Sequence, residues 1–195
     1  MRSVLNFCLI MGLTLVVAGC AKPPTQELDA AKAALDAAKA AEAEIYAADT
    51  YRSATTAMND ANAKVEQKDY EGAKASAIQA KQVAERAKSE ADTNKRQIRD
   101  EAQALINRVS PSLADARTSL GTAPRGKGAD EDLDQLNADL NQAESNLNDA
   151  RGNLSSGKYK DALAQARSSE SKVSQIQGSV QTANQKIEAW KEQNK

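Results

Sequence analysis

Very few residues of this 195-residue chain could take part in covalent or acid–base chemistry. Histidine is absent, and the two cysteines lie near the start of the chain, at Cys8 and Cys20. Ser-His and Cys-His catalysis are therefore excluded, and zinc or another transition metal would lack its usual nitrogen and sulfur ligands. Cys20 is the one side chain whose type and position indicate a specific reaction, because an apolar run and two small residues precede it.

Carboxylate groups are the remaining candidates for acid–base catalysis. They cluster at Glu42 and Glu44 and again at Asp130, Glu131 and Asp132, among polar neighbours. Catalytic carboxyl groups are usually buried beside a charged partner, and nothing in these surroundings indicates burial. We interpret both clusters as solvated faces and helix-start acids. We therefore expect no catalytic residues, no metal site and no enzyme activity.

The residues around Cys20 resemble the lipobox of bacterial lipoproteins. Arg2 gives a positive start, and an apolar run covers residues 4–17. This run is shorter than the ~20 residues that a membrane span needs, and it lies where a secretory signal lies. It ends in the letters VAGC, followed by AKPP, an extended spacer. We predict a signal peptide over residues 1–19, cleaved between Gly19 and Cys20; an ordinary signal with an incidental cysteine is the alternative.

The lipobox resemblance implies a defined covalent modification. The sulfur of Cys20 would take a diacylglyceryl group, and cleavage would free an amine for an N-acyl group. Two or more acyl chains anchor a protein stably, whereas one binds only marginally. No other cofactor is expected, and no disulfide, because Cys8 is lost with the signal. An Asp after the cysteine resembles an inner-membrane retention signal, so Ala21 implies the outer membrane, with the periplasmic side favoured.

Apolar residues recur at alternating spacings of three and four along most of the chain. A mean spacing of 3.5 keeps them on one helix face and is typical of bundles and coiled coils. We call this apolar face of each helix its seam. No strand-like alternation competes. We predict an all-α fold, an elongated antiparallel bundle of coiled-coil-like hairpins. The predicted seams contain Leu28, Ala31, Leu35, Ala38, Tyr51, Ala54, Met58, Ala61, Val65, Tyr70, Ala73, Ala77, Ala80, Ala84, Ala87, Ala91, Leu133, Leu136, Leu140, Ala143, Leu147, Ala150, Leu154, Tyr159, Ala162, Ala166, Ser169, Val173, Ile176, Val180, Ala183, Ile187 and Trp190.

Turn residues divide the chain into five predicted helices. These run from about Thr25 to Glu44, Thr50 to Glu66, Tyr70 to Val109, Asp130 to Ser155 and Tyr159 to Glu192. Asp49 or Thr50 could cap the second helix. Ser110-Pro111 predicts a cap and a first-turn proline at which the third helix kinks or restarts, and from there it is predicted to run to Leu120. Polar Asn94 and Ser169 could set the register of the seams.

The predicted organisation of the chain follows these breaks. The segments are a signal peptide over 1–19, the lipidated cysteine and linker over 20–26, a first helical unit over 27–109 with a hairpin at 50–92, a kinked helix and Gly/Pro loop over 110–129, and a second helical hairpin over 130–195. Short turns between helices make neighbouring helices antiparallel.

Residues 54–77 and 143–166 align without gaps, at an offset of 89 residues. Both segments contain an Asn-Asp pair and, beyond a turn, a tyrosine at the same distance. We interpret this as one helical hairpin used twice, in which the tyrosine covers the turn and an alanine allows close helix contact. The structural repeat residues are Tyr70 and Ala73 in the first copy and Tyr159 and Ala162 in the second. Ligand binding by the two tyrosines is the functional alternative.

The helical part resembles two kinds of protein. The turn-Tyr-x-x-Ala pattern distantly resembles tetratricopeptide-type hairpins. Residues from about Pro24 to Asp92 resemble an Ala-rich helical domain of unknown function found behind bacterial lipoboxes. The residues that carry this second resemblance are Glu27, Leu28, Ala31, Ala34, Leu35, Ala38, Tyr46, Tyr51 and the stretch from Lys68 to Ala80. It implies a helical fold and an envelope location, and it implies no activity.

These observations favour a non-catalytic cell-envelope protein, a structural scaffold or adaptor in the periplasm. The expected partners are the membrane, through the lipid anchor, and an envelope protein or peptidoglycan, with a homo-oligomer if the seams close between chains. The formal charge of −1 and the absence of a basic patch argue against nucleic acid. The alternative is a peptidoglycan-linked spacer lipoprotein, because Lys195 resembles the terminal lysine by which Braun-type lipoproteins join the cell wall.

Overall fold

The computed structural model describes residues 22–123 and 129–193, which form six α-helices and no strand. The helices are α1 (Thr25–Ala40), α2 (Ala43–Tyr46), α3 (Ala48–Glu66), α4 (Tyr70–Gly121), α5 (Ala129–Ser155) and α6 (Tyr159–Gln193). The all-α prediction is therefore confirmed. The chain divides into two compact units, with the boundary between Ala91 and Asp92. We call them unit 1 and unit 2.

Unit 1 is built from α1, α2, α3 and the first part of α4 around a core of alanine. The central cluster contains Ala31, Ala57, Ala61, Ala77 and Ala80, with the half-buried Leu28 and Met58 packed against it. Alanine has the highest helix propensity, and its methyl side chain lets two helix backbones approach closely. The composition of these helices therefore produces both the helices and their tight packing.

The direction of α3 and α4 follows from two side-chain contacts. Thr50 Oγ1, near the start of α3, donates a hydrogen bond to Glu90 Oε2 at 2.5 Å. Near the end of α3, Lys64 Nζ donates to Ser76 Oγ at 2.9 Å. The start of one helix therefore lies beside the later part of the other, and the two helices are antiparallel, as expected for a short connection.

The start of α1 lies at the same end of unit 1 as the α3–α4 turn. Lys74 Nζ in the second turn of α4 forms an ion pair with Glu27 Oε1 in the first turn of α1, at 3.2 Å. Leu28 packs in the cluster that contains Ala61, near the end of α3. We call this end, which holds Thr25 and the α3–α4 turn at residues 67–69, the turn end of unit 1.

Helix α1 is shorter than predicted. It ends at Ala40 rather than near Glu44, and the separate four-residue α2 follows. The interruption is at Glu42, whose φ of 61° is left-handed and cannot continue a right-handed helix. The sequence contains no glycine or proline there, so nothing in it indicated where α1 would end.

The predicted cap of α3 is wrong. Helix α3 begins at Ala48, after Ala47, and no side chain caps its first amides. Asp49 lies inside the first turn, where a negative charge suits the positive end of the helix dipole. The hydroxyl of Thr50 instead donates to Glu90 across the helix pair. A residue identified as a local cap therefore makes a tertiary contact.

The prediction at Ser110-Pro111 was a kink or a restart, and the restart does not occur: α4 continues through Pro111 and ends at Gly121, next to the predicted end at Leu120. Proline inside a helix removes one backbone hydrogen bond and costs about 3 kcal/mol or more. Ser110 Oγ donates to the Ile106 carbonyl oxygen at 2.7 Å. Ile106 and Leu113 are buried on either side of the proline. Their packing in unit 2 continues through this point and offsets the cost.

Unit 2 packs the second part of α4 against α5 and α6 around larger side chains. Its buried aliphatic residues are Leu105, Ile106, Val109, Leu113, Leu120, Leu133, Leu140, Leu147, Leu163, Val173, Ile176 and Val180. Lys172 Nζ in α6 contacts Asp139 Oδ1 in α5 at 3.0 Å, whereas Asn146 Nδ2 farther along α5 donates to Ser168 Oγ, earlier in α6, at 3.0 Å. These pairs make α5 and α6 antiparallel.

The predicted seam residues face the interiors of the two units. All of those whose side chains the structure describes are buried or half-buried. Apart from Asn94, the predicted seams leave out residues 92–120, although Ala102, Leu105, Val109, Leu113, Ala116 and Leu120 are buried there. The three-and-four spacing therefore identified the buried face of each helix to which it was applied. Residues 102–120 of α4 show the same spacing.

The α3–α4 and α5–α6 turns have the same backbone hydrogen bonds, 89 residues apart. In the first turn, the amides of Lys68 and Asp69 donate to the carbonyl oxygens of Val65 and Lys64, both at 2.9 Å. The corresponding bonds of the second turn join Gly157 to Leu154 at 3.2 Å and Lys158 to Asn153 at 2.9 Å. This is the Schellman arrangement, which places one residue in the left-handed region. That residue is Lys68, with φ of 59°, or Gly157, with φ of 77°.

Candidate functional site

The residues predicted for covalent attachment lie outside the described residues. These are Gly19 and Cys20, at the predicted cleavage and lipidation site, and Lys195, the predicted wall-attachment residue. The described chain begins at the exposed Lys22 and reaches α1 at Thr25. Within residues 22–123 and 129–193, the helices lack an apolar stretch of the length needed to cross a membrane.

The predicted repeat residues occupy equivalent positions in the two hairpins. Tyr70 and Tyr159 are the first residues of α4 and α6, and both are half-buried. Ala73 and Ala162, three residues later, are completely buried. Each tyrosine belongs to a different unit, and neither lines the grooves described below. Helices α4 and α6 therefore begin at the predicted residues. The close helix contact at the two alanines stays a prediction.

Asp60, Lys64 and Ser76 form a polar cluster between α3 and α4. Lys64 Nζ donates to Asp60 Oδ2 at 2.7 Å and to Ser76 Oγ at 2.9 Å, and the serine hydroxyl donates to Asp60 Oδ2 at 2.5 Å. Only 5% of Ser76 is exposed. The hydrogen bond from Lys64, followed by the one from Ser76, lowers the pKa of Asp60, and the partial desolvation of the carboxylate opposes them.

The geometry of this cluster is that of a closed ion-pair network. A serine is activated as a nucleophile when a neighbouring base accepts its proton. Here the lysine donates to both partners, and the serine proton is directed at the Asp60 carboxylate. The three groups therefore satisfy one another and join α3 to α4. Sequence reasoning missed the cluster, although the four-residue spacing of Asp60 and Lys64 on one helix was a visible signal for their ion pair.

A second polar contact lies at the turn end of unit 1. Glu27 accepts a hydrogen bond from its own backbone amide and pairs with Lys74 at 3.2 Å, and these contacts, in that order, lower its pKa. Glu27 is also in the first turn of α1, where the helix dipole favours a negative charge. The contact fixes the start of α1 against the second turn of α4.

Two shallow grooves lie on the described surface. One has a volume of about 280 Å³ between α1 and α4, and Ile78, which is 41% exposed, is its largest apolar side chain. Its lining residues are Gln26, Glu27, Ala30, Ile78, Lys81 and Gln82. The other lies on α6 beside Arg167 and Glu170, which pair with Glu101 and Arg108. Within the described part of the chain, no group of three or more acidic or cysteine side chains could hold a metal ion.

Comparison with known families identifies one part of the chain. Residues 26–105 match a family model described as Domain of unknown function (DUF4398). The chain carries this uncharacterised domain over those residues. The matched region begins at the second residue of α1 and includes α2, α3 and the first part of α4, and with them the Asp60 cluster. The predicted resemblance to a domain of unknown function is confirmed, and the match extends beyond Asp92.

No curated protein and no solved structure matches the chain. The likeness to tetratricopeptide hairpins therefore remains a resemblance of the sequence.

Proposed function

We propose that this protein is a lipid-anchored, non-catalytic scaffold or adaptor of the bacterial cell envelope. It would be held at the outer membrane, on the periplasmic side, by acyl groups on Cys20. The observation that carries the proposal is the order of two features along the chain: the VAGC motif ends at Cys20, and a helical domain begins at Thr25. A domain that starts this close to its anchor is suited to act at the membrane surface.

The chemistry of the described surface supports a binding role. The polar cluster of Asp60 is internally paired, and the groove on α6 is bordered by charges that are already paired with α4. Helical faces covered with Lys, Glu, Asp and Gln present many groups to another macromolecule. The core of unit 1 is built from small alanine side chains, and the groove between α1 and α4 lies at its surface and is lined mainly by polar residues.

We also propose that the two hairpins are copies of one structural element with coiled-coil-like packing. The supporting observations are the shared turn hydrogen bonds and the equal burial of equivalent residues. At the 89-residue offset, Ala54, Ala61, Ala73 and Ala77 correspond to Ala143, Ala150, Ala162 and Ala166, and all eight are completely buried. The two copies place the same small-residue contacts in both units.

The anchor is tested with two matched cysteine variants expressed in a Gram-negative host. Cys20→Ser is expected to remain uncleaved and to take up no labelled fatty acid, because the acyl acceptor is gone. Cys8→Ser alters a residue in the segment that is removed, so its processing and labelling should equal those of the wild type. The measurements are the mass of the mature N-terminus and fatty-acid labelling. Normal labelling of Cys20→Ser would overturn the lipoprotein proposal.

The scaffold role is tested by crosslinking the native lipidated protein in cells. Photocrosslinking residues at Gln79 in unit 1 and Gln181 in unit 2, both exposed, should capture a discrete envelope protein at one unit or both. The same product should be lost in a Cys20→Ser strain. Muropeptides attached at Lys195 would instead make the protein a wall-linked spacer. Self-crosslinks alone would contradict an adaptor and indicate a homo-oligomer.

A further inference from the structure

We propose that the turn end of unit 1 is the surface that faces the lipid headgroups. This inference rests on the lipid anchor proposed above and adds an orientation to it. Three observations carry it: the length of chain between Cys20 and α1, the direction of the three helices, and the ion pair between Glu27 and Lys74. Each of them concerns unit 1 alone.

The first observation limits how far the domain can lie from its anchor. Thr25 is five residues after Cys20, and an extended chain spans at most about 3.6 Å per residue, so their separation is at most about 18 Å. Pro24 is buried, and the amide of Leu28 donates to its carbonyl oxygen at 3.0 Å. The last residue of the spacer is therefore packed onto unit 1, and only four residue steps separate it from Cys20.

The helix directions and the ion pair together show which part of unit 1 protrudes farthest at the turn end. Because Glu27 pairs with Lys74, the first turn of α1 is level with the second turn of α4. The α3–α4 turn at residues 67–69 is at least five residues before Lys74, and therefore extends about 7 Å beyond that level at 1.5 Å per residue. Thr25 is only two residues, or about 3 Å, beyond Glu27. The turn therefore protrudes farther than the start of α1.

The opposite end of unit 1 cannot be reached by the tether. Helix α1 has 16 residues and is about 24 Å long, and α3 has 19 residues and is about 28 Å long. Ala48, at the start of α3, is thus about 28 Å from the turn. Cys20, at most about 18 Å from Thr25, therefore lies nearer to the turn end than to Ala48.

The side chains at the turn end suit a headgroup surface without binding it strongly. Lys22, Lys68, Glu66, Asp69 and Glu71 are all exposed there, so both signs of charge can contact zwitterionic and anionic headgroups. Acids outnumber bases in this set, so attraction to an anionic membrane does not hold the domain in place. The acyl groups supply the binding, and the short spacer supplies the orientation.

The test uses one introduced cysteine at a time, because the mature protein would have no other free thiol. Gln67→Cys marks the turn end, and Ala48→Cys marks the opposite end of the same helix; both sites are exposed. Each lipidated variant is labelled with an environment-insensitive fluorophore. It is then reconstituted in phosphatidylethanolamine and phosphatidylglycerol vesicles that contain headgroup spin-labelled lipid. We expect more than half of the fluorescence to be lost at Gln67→Cys and little to be lost at Ala48→Cys.

Vesicle flotation separates failure of the orientation from failure of the anchor. If the protein floats with the vesicles and both labels are quenched equally, or Ala48→Cys is quenched more, the orientation is wrong and the anchor stands. If the native protein does not float with the vesicles, both the proposed anchor and the proposed orientation are wrong. Chains made from residue 21 onward, which lack acyl groups, provide the baseline and should show no quenching at either label.

Discussion

Ser169 and Ala143 are joined by a hydrogen bond across α5 and α6, inside the core of unit 2. The serine hydroxyl donates to the alanine carbonyl oxygen at 2.7 Å, and the serine is completely buried. A buried hydroxyl without a partner would be costly, and this one is satisfied by a backbone group of the facing helix. The bond is made only when the two helices are in this register.

Replacing Ser169 with alanine should destabilise the protein by about 1 kcal/mol, the net contribution of one intramolecular hydrogen bond. The change leaves no unpaired hydroxyl, and the Ala143 carbonyl retains its bond within α5. Ser171→Ala, two residues along on the exposed face of α6, is the matched control and should be neutral or slightly stabilising. Urea denaturation followed by circular dichroism measures both. Equal stabilities of the two variants would show that the bond does not contribute.

The left-handed residues of the two turns predict opposite effects for two substitutions. Lys68→Gly should stabilise the protein by about 0.5–1 kcal/mol, because glycine adopts positive φ without the steric cost of a side chain. Gly157→Ala should destabilise it by about 1 kcal/mol. An added Cβ at Gly157 would have no neighbour within 4 Å, so this cost is conformational. Denaturation midpoints that move in the same direction for both variants would contradict the assignment.

Gly72 and Gly178 should respond differently to alanine. Gly178→Ala in α6 has open space around the new methyl group and should stabilise the helix by about 1 kcal/mol. At Gly72, the methyl group would overlap Asp69 Oδ2. The other oxygen of this carboxylate, Oδ1, accepts a hydrogen bond from the Gly72 amide at 3.0 Å and caps α4. Losing that cap costs about 1 kcal/mol, which should cancel the stability gained at Gly72→Ala from the higher helix propensity of alanine. Comparing the thermal midpoints tests this; an equal rise in both would show that Asp69 is not a cap.

The Asp60 cluster predicts a pH-dependent stability. The pKa of Asp60 is lowered chiefly by Lys64, so its contribution is complete above the unfolded pKa of about 3.9 and is lost as pH falls through the folded value. Asp60→Asn should therefore be less stable than the wild type at pH 6, and this difference in stability should narrow as the pH is lowered below about 3.9. Thermal unfolding at several pH values provides the measurement.

Asp149→Asn is the control for the pH experiment. Asp149 is the equivalent residue of the second hairpin, where residue 153 is asparagine rather than lysine. Measuring this variant at the same pH values shows the effect of the same substitution where the residue four positions later is not a lysine. A gap that stays constant for Asp60→Asn would mean that the ion pair with Lys64 does not stabilise the hairpin in solution.

Much of the helical fold could be predicted because its signals are local. The spacing of small and apolar residues identified the buried faces, and the turn before Tyr70 and the turn before Tyr159 end where helices begin. Burial of Ser169 could also be expected, because it occupies a seam position. Its partner could not be predicted, since the Ala143 carbonyl depends on how the two helices are shifted along each other.

The errors arose where tertiary packing outweighs a local signal. Pro111 is a strong helix-breaking signal, yet the buried side chains around it keep α4 continuous. Glu42 carries no break signal and still ends α1. Thr50 suits a cap and instead bonds to Glu90, a residue far along the chain. The covalent chemistry proposed at Cys20 depends on a short motif rather than on packing, so the fold of the described residues does not test it.

The alanine core of unit 1 has a consequence for how this domain can vary among related sequences. Ala31, Ala61, Ala77 and Ala80 have no exposed surface, so a larger residue at any of them would force the helices apart. Only glycine or serine is comparably small. We expect the amino acids at the buried positions to change little between relatives, and sequence differences to accumulate at the outward-facing positions. Divergence between relatives would then change the surface of the domain and leave its helical framework intact.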